Sequence, residues 1–431
     1  MKAKKQRIRV CVGHGETVED ALSQLQSQNV KAACSIIFAD AMKDQEAIAK
    51  AVQNTLGGNT WGMSSAGEMS HKSGDIVTGT VAIMSFEASQ QTICFGAGAG
   101  RIDDNGEVVG EAATMEAFSN LNFRPEFLYL GMLQRSAVEM VAATPYTLLV
   151  AHDGRTFVEE DTIRGIANVV GRGARVVGGS AADALSRFNE PRVYLNGRVL
   201  KDELGIMAVA TSLKNGTGMA NCFSPFLDKG IFFTDSDGRR VKTFDGRPAA
   251  EVYSELVNAE NFEEAKAQFL HHPLGLLDAT SGYWQVRSPA DINENGSMSF
   301  FSAVPPGIGL TLLQGDSVSR VNSVKKAVER AWVDAGRPTR VGAVVLFNCI
   351  LCHLQGKVLN SSSMEVKAVQ DCLQELTGLE QEIPMIGLST FGETGATITG
   401  SLGHHNQTIT AWVLGDEMYH EVASSSKSAK K

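Results

Sequence analysis

The chain has 431 residues, 43% hydrophobic and 20% charged, with a formal net charge of -9. That balance fits a soluble globular protein with a sizeable core and room for two ordinary domains. Basic residues cluster only near the ends, from Lys2 to Arg9 and from Lys427 to Lys431. A nucleic-acid-binding face is therefore not expected, and with no run of about 18 apolar residues neither is membrane insertion.

The opening MKAKKQRIRVCVGHGE is charged but has no apolar stretch of the kind a secretory signal requires. Seven cysteines, at positions 11, 34, 94, 222, 349, 352 and 372, are odd in number and scattered. Reduced thiols and a cytoplasmic location are the expectation.

ACSIIFAD (33–40) predicts a short buried strand, and DQEAIAKAVQNTL a helix closed by Gly57-Gly58. TWGMSSAGE and the alternating strand GTVAIMSFE follow. CFGAGAGR (94–101) looks superficially like a dinucleotide loop, but Asp103, Asp104 and Asn105 stand where a helix should open; a glycine-rich strand and turn is predicted instead. TLLVAHDG, EEDTIRGIANVV, VVGGSAAD and GIMAVATS repeat the opening pattern more loosely. FFTDSDGRRVKTFDG predicts a hairpin, and Pro248 the first position of the helix PAAEVYSELV. SVSRVNSVKKAVERAWVDAG is an amphipathic helix with Val318, Val321, Val328 and Trp332 inward. GAVVLFNC (342–349), the helix MEVKAVQDCLQEL stopped by Gly378, MIGLSTFGE and QTITAWVLG form a further copy. The closing SSSKSAKK predicts a disordered tail.

Repeated strand–helix–turn–strand units with short connections predict an α+β fold: two domains of mixed β-sheet with packed helices. The divisions expected are a segment 1–30 packed on the first domain, domains at 31–235 and 236–415, and a tail at 416–431.

Three features bear on chemistry. Two turns read Gly-x-Ser-x-x-Gly-Glu, with Gly62, Ser64, Gly67 and Glu68 in one and Gly387, Ser389, Gly392 and Glu393 in the other. Such turns either offer backbone N–H groups and a hydroxyl to a ligand or serve only to specify the fold. Cys349-x-x-Cys352-His353 has the spacing of a c-type haem attachment. If the strand continues, its period of two sends Cys349 and His353 to one face and Cys352 to the other, which opposes covalent attachment. His353 as an axial ligand of b-type haem, a metal role for Cys349 and Cys352, and plain filling of a strand end stay open. Arg287, in the aromatic setting of GYWQVRSP, needs a partner such as a ligand carboxylate, a haem propionate or an internal acid. His404 and His405 are expected to be solvated in a hairpin, and His271 and His272 to be structural. No nucleophile–base pair, carboxylate pair or metal cluster stands out, so an enzyme is not expected.

WGMSSAGE, VVGGSAAD, GRPAAEVY, HPLG, WQVRSP, the strand ending FNC and MIGLSTFGETG occur in an order that resembles the FIST sensory proteins, over about residues 31 to 415. The resemblance implies a FIST N-terminal and a FIST C-terminal domain and a cytoplasmic small-ligand sensor that signals through a partner. Stand-alone members include haem-binding nitric-oxide sensors (NosP) that regulate a histidine kinase, and others are proposed to sense amino acids. Family members often carry Arg where this chain has Cys352 and His353.

The leading expectation is a sensor that binds b-type haem through His353 and reports nitric oxide to a histidine kinase or other signalling protein. A sensor of amino acids or small carboxylates is the alternative, using Arg287, the Ser389, Gly392 and Glu393 turn, and its counterpart with Ser64 and Glu68. A thiol or redox protein built on Cys349 and Cys352 is a third. The layout is compatible with a homo-oligomer.

Overall fold

A computed structural model describes residues 6–102, 105–121, 146–171, 174–183, 190–226, 229–358 and 364–419. The fold is α+β, with mixed sheets and packed helices, as expected. Its plan is one unit used three times.

In the first unit, strand Arg9–Gly15 leads through helix Val18–Gln26 to strand Cys34–Asp40. Helix Gln45–Leu56 then crosses to Asn59–Ser65, parallel to Cys34–Asp40, and Val81–Glu87 returns between the first two strands. The second unit repeats this with strands Ile93–Arg101, Tyr146–His152, Arg175–Ser180 and Glu203–Thr211. The third uses Leu213–Ala220, Val341–Cys349, Met385–Thr390 and Ile409–Met418. Residues 221–316 interrupt the third unit and carry a separate antiparallel sheet around Tyr253, Phe244 and Met298.

Each unit lends a hairpin to a neighbour. Glu68–Ser70 of the first pairs with Met385–Thr390 of the third, and Glu393–Ala396 of the third pairs with Arg175–Ser180 of the second. Val193–Leu195 of the second pairs with Asn59–Ser65 of the first and closes the cycle. The strand edge each unit would otherwise leave open is thereby covered.

Alternation along the strands divides two cores. Ile36, Phe38, Trp61, Phe347 and Trp412 point to a common interior, while Ile37 and Ala39 face the outer helices. Burial on both faces accounts for the continuous apolar run in CSIIFAD. Phe38, Trp61 and Phe347 meet edge to face, with centroids 6.0 to 6.4 Å apart.

The glycines of CFGAGAGR serve packing. A Cβ on Gly98 would lie 2.1 Å from the carbonyl oxygen of Ala113, in the helix that follows, and Gly218 stands likewise 2.2 Å from that of Ala327. Asn105 caps helix Gly106–Ser119 after this strand.

Several expectations are corrected. Val318 is exposed, because its helix begins at Ser317 and the inward stripe runs through Arg320, Val324, Ala327, Val328 and Ala331. Pro248 stands at the N-cap, one residue before the helix Ala249–Leu256. His404 and His405 are buried, since Leu402–His405 pairs with Glu393–Ala396. The strand ending FNC stops at Cys349 and helix Ile350–Val358 follows, so Cys352 and His353 are helical. The last strand runs to Met418, and Asp416 accepts from the backbone N–H of Arg7 and Ile8; 420–431 lies outside the described residues.

Candidate functional site

The carboxyl ends of the three parallel strand pairs meet in the middle of the molecule, where their turns bond one another. Ala66 N–H donates to Ser389 O (3.0 Å) and Ser389 N–H to Gly67 O (2.8 Å). Ser180 N–H donates to Gly392 O (2.9 Å), Phe391 N–H to Ser180 O (3.1 Å) and Ala182 N–H to Ser64 O (3.1 Å). The serine-bearing turns thus share one place, but the Ser389 and Phe391 donors are spent on neighbouring turns rather than left for a ligand. Gly392 has φ 152°, and a Cβ there would fall 2.3 Å from His404 Cε1.

Glu68 and Glu393 are fully buried and held alike. Ser65 Oγ and Thr80 Oγ1 donate to the two oxygens of Glu68. Thr390 Oγ1 and Thr408 Oγ1 donate to those of Glu393, at 2.6 Å each. Burial pushes both carboxyls up to about 8, against the pull of these hydroxyls. Each glutamate locks its turn to the strand that returns after it.

The turn serines differ. Ser64 Oγ donates to Ala182 O and accepts from Arg192 N–H, and Ser180 Oγ donates to Glu159 Oε1 (3.1 Å). Among the described residues Ser389 Oγ has no partner, nor does either side-chain polar atom of Asn348 beside it on the adjacent strand.

Arg287 is 9% exposed and ends strand Tyr283–Arg287, which touches strand Leu402–His405. Its Nη1 donates to Val286 O (3.0 Å) and its Nη2 to Gln285 Oε1 (3.4 Å), while Nε has no acceptor among the described residues. No ion pair to Arg287 occurs among the described residues. Burial lowers its pKa, and Glu160, whose charge reaches it, offsets part of that. Burial, then the Arg287 charge, holds His405 at about 3. His404 is also lowered by burial, against Glu159 and Glu160. Among the described residues, Nδ1 of both histidines and both side-chain polar atoms of Asn406 lack partners. A buried cation beside unpaired neutral donors and acceptors favours an anionic guest.

His353 is 3% exposed with neither ring nitrogen bonded among the described residues, and burial, with Lys357 and Arg320, lowers it to about 4. It is therefore neutral at pH 7, as an iron ligand would have to be. The ring is enclosed, however, and the Arg320 and Lys357 charges reach it. A porphyrin needs apolar faces and an open approach to the imidazole, so these residues do not fit haem in this conformation. Cys349 and Cys352 are buried, and burial raises both thiols well above their usual range, which opposes thiolate chemistry. Among the described residues no group of three or more His, Cys, Asp or Glu is placed to hold a metal ion, and no helix is long and apolar enough to cross a membrane.

Comparison with known proteins fixes the class: the FIST N domain matches residues 34–247 and the FIST C domain 249–396. The chain belongs to the FIST family, whose domains are small-ligand sensors of signal transduction. No curated protein matches it. Among solved structures, the crystal structure of cyanuric acid hydrolase from A. caulinodans is similar at 8% identity, over 95% of this chain and 99% of that one, with a TM-score of 0.35. A likeness that low carries no argument.

Asn348, Asn406, Glu365 and the burial of His404 escaped the sequence reading. Aligning the three copies would have flagged Asn348, since it falls where the others have Ala39 and His152.

Proposed function

We propose that this FIST protein senses a small carboxylate or similar oxyanion held by Arg287, with His404, His405 and Asn406 completing the site. The observation that supports this most is the buried guanidinium with no ion pair among the described residues. A bidentate carboxylate would satisfy its free donor and offset its buried charge. Thermal unfolding against a panel of amino acids and small carboxylates tests it. Ligand at about 100 times its Kd adds about 2.7 kcal/mol to the native state, and Arg287→Met is expected to abolish that rise. An equal rise in the Met variant would overturn the site.

The second reading is b-type haem on His353, favoured by its two unbonded ring nitrogens. It requires helix Ile350–Val358 to move, and a Soret band that shifts with nitric oxide and vanishes in His353→Ala is its test. Seven free, buried thiols support a reducing, cytoplasmic setting. The output goes to a partner, with a histidine kinase as the first candidate; co-purification with and without ligand tests that, and the native mass tests a homo-oligomer.

A further inference from the structure

The hairpins exchanged between units cover one edge of each sheet, and the first strand of each unit is its other edge. The helix packed on this strand caps it, and the three copies align residue by residue. A Cβ on Gly13, Gly98 or Gly218 would fall 2.1, 2.1 or 2.2 Å from the carbonyl oxygen of Ala21, Ala113 or Ala327. Three residues beyond that alanine stand Gln24, Glu116 and Arg330, and just beyond the glycine stand His14, Ala99 and Met219.

In the first two units the helix side chain accepts from the strand's outward N–H: Gln24 Oε1 from His14 (3.3 Å) and Glu116 Oε2 from Ala99 (2.9 Å). Gln24 Nε2 also donates to His14 O (2.7 Å), and Asn120 Nδ2 donates to Ala97 O (2.8 Å). The third unit inverts this chemistry. Arg330 carries donors only, so it bonds Met219 O and cannot take the Met219 N–H. Asp334, standing where Asn120 does, accepts from the Thr217 N–H (2.9 Å) and its carboxylate cannot donate to Thr217 O. Because Thr217 turns its N–H away from strand Ile409–Met418, alternation turns Met219 the same way. Thr217 O and the Met219 N–H therefore have no partner among the described residues. Beside them the Tyr419 hydroxyl closes both the N–H and the carbonyl of Asn215.

The open pair lies in a groove of about 670 Å³ whose lining includes Thr217, Gly218 and Met219. Val333 of helix Ser317–Asp334 and Ile398 of the hairpin after Glu393–Ala396 also line it, 44% and 57% exposed. Its charges cancel: Arg175 pairs with Asp334 (2.5 Å), and Glu329 stands next to Arg330. We propose that this groove docks an extended, uncharged segment of the signalling partner, added as a strand along Leu213–Ala220. One residue of the segment donates its N–H to Thr217 O and accepts from the Met219 N–H, which is the bridge of a parallel ladder. Alternate apolar side chains of the segment cover Val333 and Ile398. The role of a partner rests on the sensor reading above, whereas the open edge does not.

The test is fluorescence polarisation of a labelled, end-capped Thr-Val-Thr-Val-Thr peptide titrated with the full chain. The wild type is expected to bind this peptide but not the same peptide N-methylated at every residue, which keeps the side chains and removes the donors. Arg330→Gln restores the acceptor that Gln24 supplies in the first unit, and is expected to weaken binding about tenfold, the effect of one hydrogen bond. Ile398→Lys, on the exposed wall, is expected to weaken it through lost apolar contact. If Arg330→Gln does not fold, Ile398→Lys and the methylated peptide decide. No response from the wild type up to about 0.5 mM protein, or undiminished binding in Arg330→Gln, would overturn the proposal. Equal binding of the methylated peptide would mark a pocket for apolar side chains only and would overturn it too. The titration uses no small-molecule ligand, so a failure of the Arg287 site leaves its outcome unchanged.

Discussion

Glu393 predicts how stability depends on pH. Its carboxyl is fully buried, bonded by two hydroxyls and the Thr408 N–H, and pushed from 4.5 up to about 8 by burial. The unfolded chain releases this proton near 4.5 and the native chain only near 8. Between those values the native state binds more protons, so the group's stabilising contribution is full below about pH 4.5 and is lost as pH rises towards 8. Each fully differing proton contributes a slope of about 1.4 kcal/mol per pH unit. Glu393→Gln keeps the shape and cannot titrate. The buried histidines add slopes of opposite sign below pH 6.5, but they are common to both proteins and cancel in the difference. Urea unfolding between pH 5.5 and 7.5 should therefore show wild-type stability falling, relative to Glu393→Gln, by about 1.4 kcal/mol per unit. Parallel curves would mean that Glu393 is ionised in the native protein and that burial does not control it.

Glu68, held by the same geometry, should give Glu68→Gln the same signature under the same assay. Phe347→Ala removes the ring common to two of the edge contacts at the centre of the core and should cost about 3–5 kcal/mol in denaturant unfolding. Arg320→Met leaves Glu365 buried without its cation and should cost about 3–5 kcal/mol, most of it recovered in Arg320→Met/Glu365→Leu; no recovery would show that the pair does not act as a unit. Gly392→Ala should unfold more readily than wild type in urea, because its Cβ would overlap the His404 ring, and it should weaken any carboxylate response carried by Arg287.

Much of the architecture was legible in the chain. Cys34–Asp40 reads as a strand buried on both faces because helices and the central core both press on it. Helix Glu365–Thr377 announces itself by Val366, Val369 and Leu373, with Gly378 as its left-handed stop. The echoes Gly62-x-Ser64 and Gly387-x-Ser389 mark the turns that meet in the middle. These are local matters of period and turn chemistry, and residues adjacent in sequence decide them.

Which polar groups remain unpaired is decided elsewhere. His404 reads as solvated hairpin until the exchange of strands between units lays Glu393–Ala396 against Arg175–Ser180 and buries it. Ser64, Ser180 and Ser389 look alike in sequence, yet a carbonyl from another turn and a carboxylate from a helix satisfy the first two, and among the described residues nothing satisfies the third. Hydrogen bonds between groups more than 100 residues apart, such as Ser64 to Ala182, exist only once the three units have closed on one another. Local pattern carries the elements, but the state of a buried donor depends on every segment packed around it, and only the closed structure decides that.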